Sequence, residues 1–191
     1  MEIFLQCWGG TGYLLHKILI ARSESLENDK HWRLFGWISY LLGMPAFLIV
    51  LVSNQNWIAS SIEIAGIPSI VLGIFITLKK NNNPSKYIDW AIRIFTGIMI
   101  LLGVLFSIYT YSGLKMLSQI LEMIIIIGIL IGNYLLAKKN PFAWIMLMVG
   151  LISSGILMYI QDNIILCMYQ LFSLIPVMIG FIICSKRFKK I

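Results

Sequence analysis

The sequence predicts an all-α integral membrane protein whose seven transmembrane helices form two parallel three-helix repeats joined by a linker helix. The first observation is composition: 59% of the 191 residues are hydrophobic and 12% are charged, whereas a soluble domain carries about 25% charged residues. The second is a series of apolar runs long enough to cross a bilayer. The third is a pattern of residues that recurs 107 positions later in the chain.

The apolar runs predict the helices in order. A helix needs about 20 apolar residues to cross the bilayer core. A weaker run at 2–21 contains three glycines, His16 and Lys17, and glycine is tolerated in membrane helices because it lets backbones approach closely. Six stronger runs follow it, at 33–53, 57–78, 90–110, 114–137, 141–160 and 163–185. The longer predicted loops lie at 22–32 and 79–89.

The distribution of lysine and arginine predicts the orientation of these helices. Fourteen of the fifteen basic residues fall on one side of the predicted membrane, and Lys115 alone falls on the other. Because basic residues are enriched on the cytoplasmic side, we expect the C-terminus inside and, with seven spans, the N-terminus outside. The net charge of +7 therefore indicates orientation. It does not indicate a nucleic-acid partner, because no basic groove with interleaved aromatic residues is present.

An internal repeat is predicted because the chain matches itself at an offset of 107 residues. Identical pairs in this register are Trp37 with Trp144, Gly43 with Gly150, Asn56 with Asn163, Gly73 with Gly180 and Lys79 with Lys186. Such matches are harder to obtain by chance than matches of Ile and Leu, although biased composition is the alternative explanation. The first helices match less well, through GYLLHK at 12–17 and NYLLAKK at 133–139.

The repeat sets the expected organisation of the single membrane domain at residues 1–191. Spans one to three match spans five to seven, so the two halves run in the same direction. We expect repeat 1 at about 2–78, the linker helix at about 90–110 and repeat 2 at about 114–185. Carriers with this three-plus-one-plus-three arrangement place the solute site near the midplane, between the halves.

Four polar residues inside the predicted spans are candidates for binding solute. An ionisable side chain in hydrocarbon costs at least about 2.5 kcal/mol, so Glu63 and Glu122 should face a cavity or a partner. Gln170 corresponds to Glu63 at the repeat offset, and Gln119 lies one turn from Glu122. We expect these four residues to form a polar belt at one level. The belt binds solute, or joins helices by hydrogen bonds, or couples transport to protons through Glu63.

Other chemistry is not indicated by the sequence. No Ser-His-Asp set, histidine cluster or glycine-rich phosphate loop is present, so we expect neither an enzyme nor a metal ion or cofactor. Cys7, Cys167 and Cys184 lie in or beside apolar runs without metal-ligand spacing.

The chain resembles one family of carriers. The stretch LEMIIIIGILIGNYLLAKK, then Trp144 and then YQLFSLIPVMIGF resemble the PnuC-type nicotinamide riboside transporters, as do HWRLFGW and IEIAGIPSIVLGIF in the first half. The resemblance covers nearly the whole chain. It implies a SWEET-like fold in a bacterial-type inner membrane, often assembled as a trimer, that moves a vitamin precursor down its gradient. It also implies ring stacking by Trp144 and hydrogen bonding by Gln119 and Gln170.

We therefore expect a facilitator for a small polar solute, with nicotinamide riboside or a related nucleoside as the solute that the resemblance implies. The expected partners are that solute, membrane lipid and further copies of the chain. Two alternatives remain at this point. One is an accessory or scaffold protein of the inner membrane that transports nothing. The other is a proton-coupled exporter that uses Glu63.

Overall fold

The described residues form seven helices. The computed structural model describes residues 2–25, 29–79, 86–111 and 117–188, and these residues contain helices and no strand. The helices are α1 (Glu2–Ser25), α2 (Lys30–Ser53), α3 (Trp57–Leu78), α4 (Lys86–Tyr111), α5 (Leu117–Ala137), α6 (Phe142–Ile160) and α7 (Ile164–Phe188). The predicted all-α class is confirmed. Four of the basic residues used to predict the orientation lie outside the described residues, namely Lys80, Lys115, Lys189 and Lys190.

Within the described residues, the six helices α2 to α7 are long and apolar enough to cross a membrane. Helix α1 is as long as α2, at 24 residues, but it carries more polar side chains. Gln6, His16 and Lys17 are buried against other helices, whereas Ile3 and Phe4 are exposed. Helix α1 therefore directs Gln6, His16 and Lys17 inward, whereas Thr11 and Arg22 are exposed together with its apolar residues.

The predicted loops are shorter in the structure than in the sequence analysis. Helix α1 continues to Ser25 and α2 begins at Lys30, so most of the predicted loop at 22–32 is helical. Asp29 caps α2 by accepting a hydrogen bond from the backbone N–H of His31, at 2.8 Å, as aspartate commonly does at helix N-termini. Helix α4 likewise begins inside the predicted loop at 79–89. The polar residues at 22–32 and 79–89 predicted loops, but in the structure many of them form the last and first turns of helices.

Six of the helices pack in a closed ring. The order around the ring is α1, α2, α3, α5, α6 and α7, and α7 packs back against α1. We call the end that carries the tight turns at 54–56 and 161–163 the turn end, and the opposite end the loop end. Every helix of the ring therefore has two neighbours within the ring and one side that faces the centre.

Helix α4 lies outside the ring and packs against α3. Near the loop end, Asp89 of α4 accepts hydrogen bonds from Tyr134 (2.6 Å) and Lys138 (2.8 Å), and Arg93 donates to Tyr134 at 3.1 Å. Partial burial acts against the charged form of Lys138, but its hydrogen bonds to Asp89 and Tyr134 outweigh this effect and raise the pKa of its ammonium. This cluster joins α4 to the end of α5.

The two tight turns have the same backbone geometry at the offset of 107 residues. Gln55 and Asp162 both have positive φ angles, of 56° and 58°. The N–H of Asn56 donates to the carbonyl of Leu51, and the N–H of Asn163 donates to that of Met158, each at 2.9 Å. The turn after α5 has the same geometry, with a φ of 57° at Lys139 and a hydrogen bond of 2.9 Å from the N–H of Asn140 to the carbonyl of Leu135. All three helices end at a residue in the left-handed conformation, a common form of helix termination, so this geometry is not specific to the repeat.

The matched tryptophan and glycine residues pack against each other in both halves. A Cβ atom added at Gly73 would overlap the ring of Trp37, and one added at Gly180 would overlap the ring of Trp144. Both indoles are fully buried, at 0% and 1% exposed. Glycine is needed at 73 and 180 because the indole occupies the space that a side chain would take.

Glycine contacts also relate α1 to α5, in a register that the sequence did not indicate. Gly12 lies against Gly43, and Gly128 lies against Gly150. The α1 and α5 glycines are 116 residues apart, since 128 − 12 = 116, whereas their partners Gly43 and Gly150 keep the offset of 107. The predicted match of GYLLHK with NYLLAKK pairs Tyr13 with Tyr134, an offset of 121, and it is five residues out of register with this packing.

The first prediction concerns these glycines. We expect Gly73→Ala to lower the free energy of unfolding by about 1–3 kcal/mol, because the added methyl group overpacks the contact with Trp37. Gly66→Ala in the same helix is the matched control, because the nearest atom to its added Cβ is 3.8 Å away. Thermal unfolding of the detergent-purified variants measures both. Equal stability of the two variants would contradict the proposed role of Gly73.

Candidate functional site

A small cavity lies in the centre of the ring. Its polar lining comes from α1, α2, α3, α5 and α7, and consists of Tyr13, Lys17, Tyr40, Glu63, Asn133 and Gln170. The cavity has a volume of about 10 Å³, which is space for about one water molecule. Both halves of the chain therefore contribute polar groups to one closed space.

Glu63 is the centre of a hydrogen-bond network that connects four helices. Its side chain is buried, and its Oε2 atom accepts hydrogen bonds from the hydroxyls of Tyr13 and Tyr40. The two tyrosine rings are in contact, with centroids 4.4 Å apart. Asn133 donates to the hydroxyl of Tyr40 at 3.5 Å. Hydrogen bonds to a carboxylate are stronger than those between neutral groups, so this network fixes the position of Glu63.

Lys17 is a second buried charged group in the lining. It is 5% exposed, and its ammonium donates to the carbonyl of Tyr13 at 3.4 Å. That distance is longer than usual for an N–H···O hydrogen bond. The ammonium also lies 5.2 Å from the ring centroid of Tyr13. Among the described residues, Lys17 and Glu63 form no direct ion pair, so the cavity contains an ammonium and a carboxylate that are not joined.

His16 lies in the interior, whereas the sequence analysis treated it as part of a weak span. It is 1% exposed, its Nδ1 atom is 2.9 Å from the carbonyl oxygen of Gly36, and its ring contacts Trp37. Within the part of the chain that the structure describes, no group of three or more His, Cys, Asp or Glu residues is arranged to hold a metal ion. His16 therefore contributes to the packing of α1 against α2.

Side-chain hydrogen bonds between the two halves close the turn end of the ring. Asn56 and Gln161 exchange two hydrogen bonds through their amides, one of them 2.7 Å long. Gln6 of α1 donates to Asn163 at 2.9 Å. We call these two contacts the turn-end contacts. The first contact joins the α2–α3 turn to the α6–α7 turn, and the second joins α1 to the same α6–α7 turn.

A buried ion pair closes the loop end. Arg33 is 1% exposed, lies 2.6 Å from the carboxylate of Glu24, and also donates to the backbone carbonyl of Leu136. Glu24 and Arg33 belong to α1 and α2, whereas Leu136 belongs to α5. We call this set the loop-end contact. The sequence did not predict this contact, because Arg33 was used there only to predict the orientation of the helices in the membrane.

The structure brings two of the five predicted site residues into the cavity. Glu63 and Gln170 line it together, whereas Gln119 and Glu122 are buried in the first part of α5. Glu122 accepts a hydrogen bond from the backbone N–H of Ala59, at 2.9 Å. Ala59 is four residues, or about 6 Å, nearer the turn end than Glu63. The Glu122 carboxylate therefore contacts α3 nearer the turn end, and neither Glu122 nor Gln119 lines the cavity with Glu63 and Gln170.

Trp144, the fifth predicted site residue, lies outside the cavity lining. Its ring is buried between α6 and α7, against Gly180. The same position in the first half is occupied by Trp37 against Gly73. The observed contact of Trp144 is thus a packing contact between neighbouring helices.

Sequence reasoning missed four residues of the lining, namely Tyr13, Lys17, Tyr40 and Asn133. Lys17 was interpreted as an orientation signal, although it stands inside an apolar run. Tyr13 and Lys17 are four residues apart, which places them on one face of a helix. The sequence therefore shows that Tyr13 and Lys17 share a helix face. Whether that face points to the cavity or to the surroundings depends on how α1 packs against its neighbours.

Comparison of the chain with protein-family models, with curated proteins and with solved structures gives no match.

The second prediction concerns the buried ion pair. We expect Arg33→Met to lower the free energy of unfolding by about 3–5 kcal/mol, because it leaves the Glu24 carboxylate buried without its cation. The double variant Glu24→Leu with Arg33→Met should recover most of that loss, because it removes both charges. Arg93→Met is the control, since the Arg93 side chain is 63% exposed in its pair with Asp89. Equal losses for Arg33→Met and Arg93→Met, measured by thermal unfolding, would contradict the interpretation.

Proposed function

We propose that this protein is a membrane carrier that moves a small polar solute through the centre of the helix ring. The observation that carries the proposal is a polar cavity between the two halves, closed at both ends by side-chain contacts. Alternating access requires a central site and two closures that open in turn. The cavity, the turn-end contacts and the loop-end contact are the elements that such a cycle would use.

The proposed architecture is two parallel three-helix repeats with α4 as the linker. The matched contacts of Trp37 with Gly73 and of Trp144 with Gly180 support it. We further propose that α1 also spans the membrane, since Gln6, His16 and Lys17 are buried against other helices. The turn end then faces outside and the loop end faces the cytoplasm. Duplication supplies two similar rigid units that rock against each other.

In the proposed transport cycle, the turn-end contacts and the loop-end contact break in turn. Opening of the turn-end contacts would admit solute from outside while Arg33 still joins α1 and α2 to α5. Opening of the loop-end contact would release the solute while the Asn56–Gln161 pair holds. The cavity of about 10 Å³ is far smaller than a nucleoside, so solute binding must part the halves.

The identity of the solute rests on the resemblance to the PnuC-type transporters. Nicotinamide riboside or a related nucleoside is the first candidate, with Gln170 and Asn133 as hydrogen-bonding groups for it. Trp144 faces Gly180, so stacking on its ring would require α6 and α7 to separate. The proposed partners are the solute, membrane lipid and further copies of the chain in a trimer.

Two other functions each have one supporting observation. A proton-coupled exporter is favoured by the burial of Glu63 among two tyrosine hydroxyls, where a proton could be held. An accessory or scaffold protein is favoured by the small volume of the cavity. The carrier is preferred because six polar side chains in an apolar ring are costly to bury without a use.

The third prediction tests solute binding. We expect nicotinamide riboside at 100 times its Kd to stabilise the purified protein by about 2.7 kcal/mol, and Gln170→Ala to abolish the shift. Met168→Ala is the matched control, because Met168 is an exposed residue of the same helix. A thermal shift with another solute would support the carrier function but identify a different substrate. Absence of a shift with nucleosides, sugars, amines and amino acids would favour the accessory protein.

The fourth prediction tests the opening of the turn end. In a background without Cys7, Cys167 and Cys184, a disulfide between Asn56→Cys and Gln161→Cys should block uptake into proteoliposomes, and a reductant should restore it. The two single-cysteine variants, treated with the same oxidant, are the controls. Full uptake by completely cross-linked protein would show that the turn end does not open.

A further inference from the structure

The two halves contribute different charges to the central cavity. At the offset of 107 residues Glu63 corresponds to Gln170, and at the offset of 116 Lys17 corresponds to Asn133. All four residues line the cavity. The first half therefore supplies a carboxylate and an ammonium, whereas the second half supplies a neutral amide at each corresponding position.

The charged groups approach the cavity from opposite ends. Glu63 and Gln170 each lie six residues into their helices, about 9 Å from the turn end. Lys17 and Asn133 lie 15 and 16 residues from the first residues of α1 and α5, about 23 Å from that end. The level nearer the turn end thus combines the Glu63 carboxylate with the Gln170 amide. The level nearer the loop end combines the Lys17 ammonium with the Asn133 amide.

Lys17 has unused hydrogen-bonding capacity. An ammonium has three N–H donors, and among the described residues its one acceptor is the carbonyl of Tyr13 at 3.4 Å. The side chain is 95% buried, since 5% of its surface is exposed, so water does not supply the missing acceptors freely. Burial of a charge without hydrogen bonds is costly. A ligand with an anionic group would provide the acceptors that Lys17 lacks.

Glu63 could receive a cationic group in the same way. Its two tyrosine donors both bind Oε2, and Oε1 has lone pairs for a further donor. Glu63 and Lys17 are not joined directly, so a solute would lie between them once the halves part and enlarge the cavity of about 10 Å³. Its charges must then be opposite and separate.

We propose that the cavity takes dipolar solutes, with their cationic group toward Glu63 and Gln170 and their anionic group toward Lys17 and Asn133. Amino acids are the simplest solutes of this class. The inference rests on the proposed carrier function, and it replaces the nucleoside that the resemblance suggests with a substrate class argued from the charges of the cavity. A solute with a single charge would satisfy one side-chain charge and leave the other without a partner.

The first test needs only the unmodified protein. Binding to the protein in nanodiscs is measured by calorimetry for L-alanine, ethylamine and propionate, and for L-leucine, isoamylamine and 4-methylpentanoate. Each amino acid is compared with its amine, which lacks the carboxylate, and its acid, which lacks the ammonium. We expect at least one amino acid to bind about tenfold or more tightly than both analogues, the ratio expected from one hydrogen bond to a charged group.

The second test assigns the preference to residues. Glu63→Gln and Lys17→Asn introduce the residue types found at the corresponding positions of the second half. Glu63→Gln should abolish the preference for the amino acid over the acid, and Lys17→Asn its preference over the amine. The controls are Asp162→Asn and Lys186→Asn, which remove charges from exposed positions. Thermal unfolding confirms that each variant is folded.

The outcomes separate this inference from the carrier itself. Binding of nicotinamide riboside or uridine without binding of any amino acid would retain the carrier and overturn the dipolar class. Amino-acid binding with unchanged preferences in both folded variants would overturn the roles of Glu63 and Lys17. Absence of binding by every probe would overturn both proposals.

Discussion

Polar groups removed from water must find partners within the protein, and this constraint governs the arrangement of the helix ring. Glu63 is buried on α3 and takes its donors from α1 and α2. Arg33 is buried on α2 and takes its acceptors from α1 and α5. Neither residue finds these hydrogen-bond partners on its own helix, so each depends on the positions of neighbouring helices. The positions of the helices around the ring are therefore set by their buried polar residues as much as by apolar packing.

Close backbone contact allows those polar groups to meet. Gly12 against Gly43 brings α1 onto α2, and Gly128 against Gly150 brings α5 onto α6. Apolar side chains gain little from leaving lipid, so small residues at helix contacts contribute much of the packing energy in a membrane. The glycine contacts act within each half. The buried polar contacts lie both within the first half, at Glu63 and at the Glu24–Arg33 pair, and between the halves, where Asn133 and the carbonyl of Leu136 bind Tyr40 and Arg33.

The apolar runs were sufficient to predict the helices, because the length of a span depends only on composition along the chain. The match of Trp37 with Trp144 likewise predicted corresponding positions that have the same contacts in the structure. The directions of His16, Lys17 and Arg33 could not be predicted in this way. A charge near the end of an apolar run is equally compatible with the membrane surface and with the interior. Only the rotation of α1 and α2 about their axes, set by tertiary packing, decides between the two.

The π-helical segment Ile126–Ile131 of α5 separates the two polar regions that this helix supplies. A π turn contains one residue more than an α turn. Each extra residue advances the following side chains by about 100° around the axis. The angular phase between Glu122, which contacts α3, and Asn133, which lines the cavity, is therefore set by six apolar residues that lie between them. Reversion of this segment to regular α-helix would rotate Asn133 away from its present direction while Glu122 kept its own.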